Sequence, residues 1–169
     1  MATQIPQSGL LTATRAWVGF ALLLTAHFAV RPLISTRVNV DFLLIAVLFA
    51  AVRVRPGLAA VIGLLAGLAI DALAPSAFGA ATLAFVAVSY GASRVKAVFF
   101  ADHVALTGLF VFLGKLLFDI AYAIASGGLR GVGLMVQLLV WSPLSAALTA
   151  LVAIVLLTVF RPLYRPLSV

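Results

Sequence analysis

The chain has 169 residues, of which 65% are hydrophobic, eleven are basic and four acidic, giving a net charge of +7. With a mean hydropathy of +1.28, it has too few polar groups to cover a water-facing surface, which excludes an ordinary soluble domain. The absence of cysteine excludes disulfides and thiolate metal sites. The basic residues come in ones and twos between apolar runs, a pattern that sets membrane topology rather than one that grips nucleic acid.

The first 14 residues are polar and small and lack the basic start and cleavage site of a signal peptide, so the first apolar run is expected to stay as a helix. A bilayer core about 30 Å thick takes roughly 20 helical residues. On that scale the sequence predicts an all-α protein with a single transmembrane domain of six spans, at 17–34, 40–52, 57–74, 78–93, 104–125 and 134–160. The first frays at Arg31-Pro32. The second is short and bounded by Asp41 and Arg53-Val54-Arg55-Pro56, which suits a helix tucked between neighbours. The third ends at Pro75-Ser76, the fourth at Arg94 and Lys96, and the fifth at Ser126-Gly127-Gly128. The sixth is long enough to tilt, or to bend near Ser142-Pro143.

Six spans leave both termini on one side. With the N-terminus inside, Arg15, Arg53, Arg55, Arg94, Lys96, Arg161 and Arg165 are cytoplasmic, against Arg31, Arg37 and Arg130 outside. That bias predicts a multi-pass membrane protein with both termini cytoplasmic, and Trp17 and Tyr164 sit where an aromatic belt would form.

The polar residues inside the spans are few. Gly63, Gly67 and Asp71 recur every four residues, so they lie along one stripe of a helix. Small residues let a neighbouring helix approach closely, and a carboxylate within lipid needs a partner or a task. The stripe runs on into Pro75-Ser76-Ala77-Phe78-Gly79, which makes spans three and four a tight hairpin. Lys115 and Asp119, also four apart, can pair within the fifth span. They read either as a proton or ion relay or as mutual neutralisation, with Asp71 nearby as a helix–helix clamp. Asp41, Asp71, Asp102 and Asp119 are spread along the chain, and neither His27 nor His103 stands in ligand spacing with them. No metal site, cofactor site or activated nucleophile is expected, and so no enzyme.

Gly63, Gly67 and Asp71, followed by Ser76, Phe78-Gly79 and Leu83, resemble the signature of the MreD family, the bacterial rod shape-determining membrane proteins. Asn39-Val40-Asp41-Phe42-Leu43-Leu44 is similar to the start of that family's second span, and Asp119 in Phe118-Asp119-Ile120 to an aspartate common in its fifth. Lys115 has no counterpart in the resemblance. The resemblance implies a non-enzymatic scaffold of the cell-wall elongation machinery in the inner (plasma) membrane. It would bind MreC through a transmembrane helix, and meet MreB and the RodA–transpeptidase peptidoglycan synthase directly or through MreC. It also implies a fold like that of the substrate-binding components of energy-coupling-factor transporters, whose vitamin binding is the alternative function. The short outer loops hold few groups to read a vitamin. Small residues on the Gly63–Gly67 stripe and around Ala146, Ala147 and Ala150 are the candidate partner faces.

Overall fold

The computed structural model describes Gly19, Thr25 and residues 40–73, 75–99, 104–127 and 131–164. The expected first span, with His27, lies outside the described residues except for Gly19 and Thr25, both helical; Asp102, His103 and Arg130 also lie outside them. Every described element is a helix or a turn.

Helix α1, Phe42–Ala51, starts where Asp41 caps it, the carboxylate accepting from the Leu44 N–H at 3.3 Å. Leu43, Leu44, Ile45, Ala46, Val47 and Leu48 are all at most 2% exposed, so this helix is buried on every side. Ten residues rise only about 15 Å, half of a bilayer core. A helix enclosed by protein need not match the lipid thickness, which is why so short an apolar segment is stable here.

Pro56 opens α2, Pro56–Asp71, where its missing N–H costs nothing. A 3-10 turn at Pro75–Ala77 and Gly79 at φ +93° lead into α3, Ala80–Phe99. This helix starts later than the expected fourth span and continues through Arg94 and Lys96. Basic side chains mark a lipid boundary, but both residues favour helix and suit a helix C-terminus, so nothing stops the backbone there. Helix α2 runs antiparallel to α3 in close contact. A methyl group on Gly63 would strike Ser89 Oγ and come 2.5 Å from the Phe85 carbonyl oxygen; on Gly67 it would strike the Thr82 backbone.

Helix α4 is Val104–Ser126, ended by Gly127 at φ +58°. After Gly131, a short α5, Val132–Val136, passes through a π-helical turn, Gln137–Trp141, into α6, Ser142–Tyr164. The expected irregularity near Ser142-Pro143 is this turn. Pro143 has no N–H to donate and its ring crowds the carbonyl four residues earlier, and a wider turn makes room for it.

Helix α4 packs on α3 and α6, and α1 lies among α2, α3, α4 and α6. The core joins Leu44, Leu48, Phe85, Val88, Val111 and Phe118, with the Phe85 and Phe118 rings 4.6 Å apart at 54°. Two stretches, Ala105–Ser126 and Val132–Thr158, are long and apolar enough to cross a membrane; Phe42–Ala51, Pro56–Asp71 and Ala80–Val95 are shorter apolar helices. The exterior carries Leu65 at 63% exposed, Leu83 at 65% and Leu151 at 60%, a surface that suits hydrocarbon rather than water.

Candidate functional site

Two polar sites hold the described helices together. The first joins α1, α4 and α6. Lys115 projects from the middle of α4, and its Nζ lies 2.7 Å from Asp119 Oδ1 and 3.3 Å from Asp41 Oδ2. Ser142, the first residue of α6, donates its hydroxyl to Asp119 Oδ2 at 2.6 Å. The Asp41 N–H donates to Thr149 Oγ1 at 3.3 Å, and that hydroxyl donates to the Ser145 carbonyl at 2.8 Å. The Lys115 ammonium also lies 5.0 Å from the centroid of the Phe118 ring. Side-chain exposure is 9% for Lys115, 15% for Asp41 and 18% for Asp119. With so little water, the attraction between these charges is weakly screened and the cost of separating them is high.

Asp71 forms the second site at the last residue of α2. Only 1% exposed, it accepts from the Ala81 N–H at 3.1 Å through Oδ1, and through Oδ2 from the Thr82 N–H at 2.9 Å and the Thr82 hydroxyl at 2.6 Å. Ala81 and Thr82 belong to the first turn of α3, whose amides have no partner within the helix. Gly79, just before α3, has no side chain to cap with. The neighbouring helix supplies the capping oxygens instead, and its negative charge meets the positive end of the α3 dipole.

Lys115 and Asp119 therefore pair as their spacing suggests, but Asp41 joins them from 74 residues away. Asp71 is a helix–helix clamp of its own, its bonds running from the end of α2 to α3 rather than to that pair. The sequence carried signals for the missed partners. Asp41 stands as an N-cap before an apolar run, and Ser142 and Thr149 are polar residues in an otherwise apolar last span.

The packing sets how far the candidate small residues are open to a partner. Gly63 and Gly67 are buried against α3, and Ala146 and Ala150 are 0% and 7% exposed; Ala147 alone of that trio faces outward. Close approach is the very use that hides them, because helices of one chain compete for the same small residues. Gly79 stands at its turn as expected, with φ +93°.

Both sites tie one helix to another. Among the described residues no buried side-chain nitrogen or oxygen lacks a hydrogen-bond partner, and no three His, Cys, Asp or Glu side chains could jointly hold a metal ion. No curated protein and no solved structure matches the chain. The family described as rod shape-determining protein MreD matches residues 12–167, nearly the whole length, and the chain belongs to that family of shape-determining membrane proteins.

Proposed function

We propose that the chain is a non-enzymatic scaffold of the cell-wall elongation machinery in the inner membrane. It binds MreC through a transmembrane helix and couples it to MreB and the RodA–transpeptidase peptidoglycan synthase. The family match over residues 12–167 carries this reading. It is supported by a protein whose ionisable side chains, among the described core residues, are engaged in bonds between helices, Asp71 to Thr82, Lys115 to Asp41 and Asp119 to Ser142. Such a body offers partners an apolar exterior and short loops, so association runs through helix contact in lipid. Six spans, an energy-coupling-factor-like fold and cytoplasmic termini complete the proposal.

The test is mass spectrometry of the gently solubilised full chain from its own membrane. Recovery of an MreC-type protein together with elongation synthases, and no stoichiometric metabolite, is the expected result. Recovery of an ATPase module with a bound vitamin would overturn the scaffold.

A further inference from the structure

Arg53, Arg55 and Arg94 are exposed at one end of the molecule, and the fold draws them together. Ser93 Oγ donates to the Val54 carbonyl at 2.8 Å, so the turn carrying Arg53 and Arg55 is fastened to the helix carrying Arg94. The described carboxylates are engaged elsewhere: Asp71 at the far end of α2, and Asp41 and Asp119 on Lys115.

The three arginines are not equivalent. Arg53 turns its guanidinium to the Phe49 carbonyl at 3.2 Å, at the end of α1. Arg94 is held over the Tyr90 ring, 5.2 Å from its centroid, and donates to the Tyr90 hydroxyl at 2.8 Å, and the rest of its fork has no partner among the described residues. The Arg55 side chain has no hydrogen bond or ion pair among the described residues.

An apolar face begins where these charges end. On α3, Tyr90 and Leu83 follow Arg94 along one exposed stripe, at 42% and 65%. On α2, Val61, Leu64 and Leu68 form another, at 51%, 42% and 39%. Helices α2 and α3 meet through Gly63 and Gly67, and each buries one flank in the common core, through Ala59 and Ala66 on α2 and Ala84 and Val88 on α3. In an antiparallel pair the opposite flanks then open on the same side, which places both stripes on one outward face. Among the described residues the face is apolar over its length and cationic at one end only.

We propose that this α2–α3 face binds an anionic phospholipid, with its phosphodiester on Arg55 and Arg94 and its acyl chains along the Tyr90–Leu83 and Val61–Leu64–Leu68 stripes. The match is one of charge and shape together. A paired cation site suits a phosphate, and the adjoining hydrocarbon surface distinguishes a lipid from a free anion. An acidic soluble protein would meet the arginines but leave the stripes unused.

The full chain in a neutral detergent is titrated with phosphatidylglycerol or phosphatidylcholine, and lipid retention is followed by native mass spectrometry alongside thermal melting. Preferential retention of phosphatidylglycerol is expected. Arg55→Gln and Arg94→Gln should each lower its apparent affinity about fivefold, the effect of one basic group at a lipid surface. Arg53→Gln should lower it by much less, because that guanidinium serves α1; an equal loss would reduce the site to general positive charge and overturn it. Equal retention of the two lipids would also overturn it, as would inorganic phosphate raising the melting temperature as phosphatidylglycerol does, or an acidic peptide displacing the lipid. If a glutamine variant fails to fold, high salt applied to the unaltered chain decides: the preference for phosphatidylglycerol should vanish, and its persistence would refute the proposal.

Discussion

Asp71 shows how much one side chain can be asked to do in this protein. Both of its oxygens accept bonds, from two backbone amides and one hydroxyl. Its sequence position suggests that Asp71→Asn would be well tolerated, since asparagine still forms hydrogen bonds. The geometry is stricter. Asparagine offers one acceptor, and its amide nitrogen would face the backbone N–H of Ala81 or Thr82, donor against donor. Asp71→Asn should cost about 1–3 kcal/mol, and Asp71→Leu, which leaves every one of these donors unpaired, distinctly more. Melting of the purified variants in detergent measures this. Cellular function should follow the amount of folded protein; a stably folded but inactive Asp71→Asn protein would show that the charge itself acts in function. Gly79 is sensitive for a different reason: at φ +93° an alanine should cost about 1–2 kcal/mol.

Between elements, the glycine contacts and the lysine network make separable demands. Gly67→Ala would drive a methyl group into the Thr82 backbone, which cannot rotate away, whereas a methyl group on Gly91 would meet open space. The first should destabilise by about 1–3 kcal/mol, while Gly91→Ala, in the interior of α3, should be neutral or slightly stabilising. Equal melting temperatures for the two would refute the close contact of α2 with α3. For the network, Lys115→Met should cost about 3–5 kcal/mol by leaving carboxylates uncompensated. Removing Lys115 and Asp119 together restores only part of that loss, because Asp41 has also lost its cation. Adding Asp41→Asn, which keeps an oxygen to cap Leu44, should restore more. Such recovery is non-additive by construction, and strictly additive losses across the melting series would rule the shared network out.

For the whole molecule, the arrangement of spans decides which surfaces partners can reach. Reporter fusions after Arg55, Ser76, Lys96, Gly128 and Val169 should read inside, outside, inside, outside and inside. An outside reading at Val169 would overturn the span count or the orientation. With Gly63, Gly67, Ala146 and Ala150 enclosed, the exterior of α6 offers the proposed partner helix larger side chains such as Leu148 and Leu151, and the outward Ala147. Bulky substitution at Ala147 should therefore leave melting unchanged and weaken partner recovery only if α6 is the docking face.

The motifs in the sequence carried the family resemblance, and the last span stayed open between a tilt and a bend near Ser142-Pro143. The sequence by itself determined the chain's helical class, the tight turn from α2 to α3 and the Lys115–Asp119 pair. Each follows from local periodicity, turn chemistry or spacing within one helix, and so is written in neighbouring residues. Only the tertiary structure decided which polar groups meet. Asp41 reaches Lys115, Ser142 reaches Asp119, and Asp71 caps the next helix because packing brings distant turns together. The same holds for the small residues: composition marks them as contact points, but the contact an alanine makes, with its own chain or with another, depends on which way its helix is turned. The burial of α1 is the clearest case, since its ten apolar residues read as a short membrane span until the surrounding helices replace lipid on every side.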